Sequence, residues 1–98
     1  MITKITIFTR PSTAVEFPGN GSPELNVYTN ATYRSSPVKL ISKTQTISKD
    51  LLTLVVSTVF DSQASLDQFN NDPALAAFKA DRDAYMQANG ISMTESVA

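Results

Sequence analysis

One guanidinium stands in the middle of the chain's most regular apolar stripe. Leu75, Phe78, Tyr85 and Met86 recur at helical spacing and so share a face, and Arg82 falls among them. A buried guanidinium needs a partner. Arg82 either snorkels to the helix edge and pairs with Asp61 or Glu95, or holds an anion in a cleft between helix and sheet, because its planar fork matches carboxylate and phosphate. Tyr85 would be the second polar anchor of such a site. Arg10, beside Pro11, is a further cationic candidate and reads as an exposed strand terminus. The phenols of Tyr28, Tyr33 and Tyr85 could act as acids or donors, but a tyrosine on an apolar stripe normally keeps its ring in the core and its hydroxyl at the rim.

Other chemistry is excluded by composition. The 98 residues contain no Cys, His or Trp, which removes thiol nucleophiles, disulfides, zinc clusters, imidazole bases and histidine-ligated haem. Asp81 and Asp83 lie two positions apart, so a helix points them about 200° from each other and not into a shared acid–base site. The 22 Ser and Thr side chains lack a base to activate any of them and read as β-rich surface. The only glycines are Gly19, Gly21 and Gly90, too few for a phosphate-cradling loop. No catalytic residue, cofactor or metal ligand is expected.

The elements that must position Arg82 can be read along the chain. Residues 2–10 alternate and are β-branched, a strand with Ile5 and Ile7 on one face and Lys4, Thr6, Phe8 and Arg10 on the other. Residues 11–21 form a proline- and glycine-bearing loop anchored by Phe17. Ser22-Pro23-Glu24 starts a short helix over about 23–33, with a hydroxyl cap, proline in the first turn and an acid facing the dipole. Residues 38–47 and 51–60 are two strands joined at Ser48-Lys49-Asp50. Ser65-Leu66-Asp67-Gln68 fits a capping box, and Asp72-Pro73 restarts a helix whose main body runs 73–89. Asn89-Gly90 ends it, and residues 91–97 alternate as the last strand. The order βαββαβ is the ferredoxin-like split plan: one α+β domain over 1–98, an antiparallel sheet with both helices on one face.

Register then decides which face stays uncovered. A two-residue hairpin loop would place Lys39, Lys43 and Gln45 beside Leu52, Leu54, Val56 and Phe60 under the helices, burying two ammonium groups at several kcal/mol each. A three-residue loop places Val38, Leu40, Ser42 and Thr44 there instead, because a one-residue slip flips every side chain. The odd loop is expected. It leaves Ile41, Ile47, Leu51, Val55 and Val59, with Ile2 or Phe8, on the open face as a contact surface for a second copy or another protein.

Charge gives no global pull toward nucleic acid or anionic lipid, since the net charge is −1. Bases concentrate in residues 1–49 and acids in 50–98, which suits a solvated acidic helix or end-to-end stacking of copies. No apolar run approaches the roughly 20 residues of a membrane helix, and Met1-Ile2-Thr3-Lys4-Ile5 lacks the marks of a secretory signal. An intracellular or virus-particle setting is expected.

The run Phe60-Asp61-Ser62, then Phe69-Asn70-Asn71-Asp72-Pro73, Tyr85 and Asn89-Gly90-Ile91 resembles the second half of dimeric α+β barrel proteins, among them small antibiotic-biosynthesis-monooxygenase-like proteins. The resemblance covers roughly residues 38–97 and implies the ferredoxin-like fold and a dimer. Histidine or tryptophan residues that serve members of that group have no counterpart here. Thr9-Arg10-Pro11-Ser12, Val15-Glu16-Phe17 and Ser48-Lys49-Asp50-Leu51-Leu52-Thr53 resemble small proteins of marine tailed phages, which implies a virion or accessory role. The expectation is therefore a non-catalytic, self-associating or assembly protein. The alternative is a cofactor-independent barrel enzyme or small-ligand binder, which requires a pocket of roughly 300 Å³ near Arg82.

Overall fold

The computed structural model of the chain describes residues 1–19 and 22–98. Its strands are β1 (Ile2–Thr9), β2 (Leu40–Ile47), β3 (Thr53–Phe60) and β4 (Ser92–Val97). The helices are α1 (Pro23–Thr29), α2 (Gln63–Asn70) and α3 (Ala76–Asn89), with a π turn over Asn30–Arg34 and a 3₁₀ turn over Pro73–Leu75. The sheet is antiparallel throughout, in the order β2-β3-β1-β4. Since β1 and β2 both run against β3, they are parallel to each other with β3 between; β3 and β4 stand in the same relation around β1. The chain is thus an α+β protein compatible with a two-layer sandwich. The expected loop over 11–21 is described as far as Gly19; Asn20 and Gly21 lie outside the described residues.

Local chemistry sets the helix ends. Ser22 accepts from the Leu25 amide at 3.2 Å and Asp72 from the Ala74 amide at 2.9 Å, both followed by proline in the first turn. Gly90 sits at φ 69°, the left-handed exit that lets α3 turn into β4. The capping box expected at Ser65 is displaced: α2 begins at Gln63, and Ser62 caps it by accepting from the Ser65 amide at 3.2 Å. Ser65 is buried one turn inside the helix.

One sheet face carries the core. Phe8, Val56, Met86 and Ile91 form one buried cluster; Tyr33, Leu40, Phe60 and Leu66 form the other, with Ile2 and Phe69 against it. Phe69 meets Tyr33 edge-on at 5.1 Å and Phe60 at 5.3 Å between ring centroids.

The hairpin register differs from expectation. Ile47 pairs with Leu54, Gln45 with Val56 and Lys43 with Thr58, while Leu40 pairs with Phe60 across an irregularity at Ile41. This bulge gives β2 one extra residue. Leu40 therefore stays in the core, and Lys43, Gln45 and Ile47 also face the helical side. The burial penalty weighed against that register is reduced, because Lys43 stays exposed on the edge strand β2 and is only partly desolvated. Of the five residues expected to share the open face, Val55 and Val59 lie there; Ile47 faces the opposite way, Ile41 marks the bulge and Leu51 sits in the turn with φ 64°. Ile2 and Phe8 are on the helical side, and Ile5 and Ile7 take their place on the open face.

Glycine substitution separates backbone from packing effects. At Gly90 a new Cβ meets only Pro11 Cγ at 3.7 Å, so Gly90→Ala loses stability through the positive φ alone, about 1 kcal/mol. At Gly19 no atom of the described residues lies within 4 Å of a new Cβ and φ is outside the left-handed region, so Gly19→Ala stabilises by about 0.5 kcal/mol through the unfolded chain. Urea unfolding of the two variants should shift in opposite directions.

Candidate anion-binding cleft

The register sets Lys43, Thr58 and Lys4 side by side across three strands on the helix-facing surface. At the usual strand spacing the Cα atoms of the two lysines stand about 10 Å apart. Opposite this row, α3 brings Lys79 and Arg82, and the π turn brings Arg34. These five side chains line one cleft of about 240 Å³, floored by Thr6, Phe8, Leu54 and Val56 and walled by Phe69, Leu75 and Phe78. Among the described residues no carboxylate lines it. The chain has eight bases and a net charge of −1, yet five of the eight converge here.

The cations are held differently. Lys4 Nζ pairs with Glu95 Oε2 at 3.1 Å and donates to Asn70 Oδ1 at 2.9 Å. Lys79 Nζ donates to the Asn70 carbonyl at 3.0 Å, at the end of α2. Both ammoniums approach the Phe69 ring, at 5.9 and 5.7 Å from its centroid. Burial and the Arg34 charge hold Lys43 below the ordinary lysine value. Burial, with Lys4 and Arg82 nearby, does the same to Lys79, and Glu95 and Asp72 offset it only in part. Like charges have thus been gathered beside one another and partly desolvated, although Arg34 and Lys43 remain exposed.

Arg82 borders the cleft with a largely covered side chain, and its partner is Asp83 Oδ1 at 3.3 Å, not Asp61 or Glu95. Glu95 is committed to Lys4, one row away across β1 and β4. Tyr85 does not enter the cleft. It is 38% exposed, donates to the Glu16 carbonyl at 2.8 Å, and lines an adjoining hollow of about 320 Å³ that meets the cleft at Arg82. Arg10 is no idle terminus: Nε donates to the Leu51 carbonyl at 2.8 Å, Nη1 to the Val15 carbonyl at 3.0 Å, and the guanidinium stacks on Phe17 at 4.3 Å. It ties the hairpin turn to the loop that leads to Pro18 and Gly19 at the cleft mouth.

Sequence reasoning singled out Arg82 and missed its companions. Two signals were available: the β1 alternation already set Lys4 beside Thr6 and Phe8, and Lys79 precedes Arg82 by one helical turn. The π turn that delivers Arg34 had no signal.

The far wall is fixed by Asp72. Its Oδ2 accepts from both the Tyr28 and Tyr33 hydroxyls at 2.6 Å, while Oδ1 caps the 3₁₀ turn. The two tyrosine hydrogen bonds, Tyr28 foremost, hold the Asp72 carboxyl below the usual carboxylate range. In return the carboxylate raises Tyr28, and burial raises Tyr33 further. Both phenols are therefore donors with a fixed acceptor, not acids for a substrate. Among the described residues no three Asp or Glu side chains group to hold a metal ion, and no helix is long and apolar enough to cross a membrane. In comparisons with known proteins, the sequence matches no family model and no curated protein.

Removing one phenol tests the wall. Tyr33→Phe should cost about 2 kcal/mol in urea unfolding, as a hydrogen bond to a charged acceptor does, whereas Tyr85→Phe should cost under about 0.5 kcal/mol. Because the Asp72 pKa is lowered on folding, its contribution is complete above the ordinary carboxylate value of about 4 and is lost as pH falls through the lowered one. The stability gap between wild type and Asp72→Asn should therefore close on acidification below about pH 4.

Proposed function

We propose that the chain is a small-ligand binder whose cleft captures an organic anion. The observation that carries this reading is the convergence of five of eight basic side chains on one cavity that no described carboxylate lines. Around them the walls are apolar, which suits a ligand with a hydrocarbon body and a charged head. Binding is the activity inferred, because among the described residues the charged groups of the cleft are all ammonium and guanidinium. The strand order β2-β3-β1-β4 with helical crossovers supports the ferredoxin-like plan as the scaffold.

The test is a thermal-shift titration with hexanoate against sodium chloride at matched ionic strength. Hexanoate should raise Tm beyond the salt control, and the double variant Arg34→Glu/Lys43→Glu should abolish the rise. An equal response to both salts would sink the reading. Lys43→Gln should also unfold no more readily than wild type, because its folded pKa is lowered: the charged form is disfavoured by folding, and a neutral side chain removes that cost.

A second reading concerns the open sheet face. Ile5, Ile7, Val55 and Val59 there are surrounded only by Ser and Thr, and no position of that face in any strand carries a charge. A flat neutral face is self-complementary, and a two-fold dimer through it is the form of self-association this surface suits. Light scattering should find a dimer that Val55→Asp converts to monomer; a wild-type monomer at every accessible concentration would remove this reading and leave the cleft untouched.

A further inference from the structure

We infer that the anion taken by the cleft carries hydroxyl groups around a small ring, as a sugar acid or a sugar phosphate does; this rests on the anion-binding reading above. The lining of the cleft is of two chemical kinds. Phe69, Leu75 and Phe78, from α2, the 3₁₀ turn and α3, make one part apolar. The other part offers carboxamides: Asn26 and Asn30, one helical turn apart at the end of α1, and Gln45 on the edge strand β2, paired with Val56. Among the described residues none of these three carboxamides has a hydrogen-bond partner, whereas those of Gln63, Gln68, Asn70, Asn71 and Asn89 each hold one within the fold. A carboxamide presents a carbonyl acceptor and an NH₂ donor side by side, which matches a hydroxyl that both gives and takes.

A plain alkyl anion suits only the apolar part of this lining. Where its body reached Asn26, Asn30 and Gln45 it would take their water and put nothing in its place, and an unmade hydrogen bond costs more than a made one returns. A pyranose has aliphatic C–H bonds on its faces and hydroxyls around its rim. Such a ring lays a face on Phe69 or Phe78 and turns its rim to the carboxamides. The cleft volume of about 240 Å³ equals roughly eight waters of liquid, which restricts the ligand to one ring and its anionic head.

The experiment is a ¹⁵N NMR titration of the whole chain with glucuronate and with cyclohexanecarboxylate, rings of equal size and charge that differ chiefly in hydroxyls, at matched ionic strength. Glucuronate should bind at least about tenfold more tightly, a net gain that three neutral hydrogen bonds allow. It should move the side-chain NH₂ signals of Asn26, Asn30 and Gln45 and leave those of Asn71, Asn89 and Gln87 in place. Asn30→Leu and Gln45→Leu should each cut the preference about fivefold, the worth of one such bond. Gln87→Leu, at an exposed position that does not line the cleft, should keep it. The backbone amide signals report in the same titration that each variant is folded. Glucose 6-phosphate and cyclohexyl phosphate repeat the comparison with a phosphate head, and the larger ratio names the head. Ratios near one in both pairs, or a preference that both cleft variants leave intact, would overturn the hydroxylated ligand and leave the anion cleft standing. If none of these anions binds, nor hexanoate, both readings fall.

Discussion

One carboxylate oxygen holds the two halves of the helical layer together. Asp72 Oδ2 receives hydroxyls from Tyr28 on α1 and Tyr33 in the π turn, while the same side chain caps the turn that leads into α3. Helix α1 has no fully buried residue; its apolar hold on the core is the partly buried Tyr28, packed against the cluster of Tyr33 and Phe60. A buried acceptor satisfied from two sides is costly to leave half-made, and that asymmetry is what gives α1 its position. Tyr33, fully buried against Phe69, passes the constraint into the core.

The cleft follows from the same arrangement. If α1 lay flat on the sheet with an apolar stripe, it would cover β2, and Lys43 would have to be expelled to the other face. Held instead by its tyrosine and the following π turn, the segment stands off and leaves room for ammonium tips and for Arg34. The bulge at Ile41 completes the geometry by letting Leu40 stay inside while the strand beyond it turns Lys43 to the same side. Two local irregularities, a bulge in a strand and a wide turn in a helix, together make a cationic cavity in a chain with no net excess of base. Both are of the kind that proteins retain where function requires them.

What the sequence made legible was local. Alternation found β1 and β4, and Ser22-Pro23, Asp72-Pro73 and Gly90 marked helix limits, because each of those signals acts within a few residues. The hairpin register was not legible for a definite reason: the odd loop follows only if whatever faces the helices is sealed from water, so that each ammonium bears the full cost of burial. Lys43 instead stays exposed at the cleft and is only partly desolvated, so that cost is reduced and the opposite parity becomes admissible. Arg82 was visible as a cation on an apolar stripe, but its partner was not, since Asp83 and Glu95 compete in a way that only the β1–β4 register decides. The Arg10 clamp on the Leu51 carbonyl, 41 residues away, and the double use of Asp72 by tyrosines 44 and 39 residues away have no local trace at all.

Concentrating five cations also has an energetic meaning. Folding brings Lys43 beside Arg34 and Lys79 beside Lys4 and Arg82, and it partly desolvates Lys43 and Lys79, so the native state bears repulsion that the unfolded chain does not. Such cost is tolerated only where something offsets it. Glu95, Asn70 and the Asn70 carbonyl at the end of α2 offset part of it at the Lys4 end, and Asp83 serves Arg82 from outside the cleft. Under the proposed function, this positive field is in place before a ligand arrives, and an anion would meet it with little rearrangement. Under that proposal, stability and affinity oppose each other at Lys43.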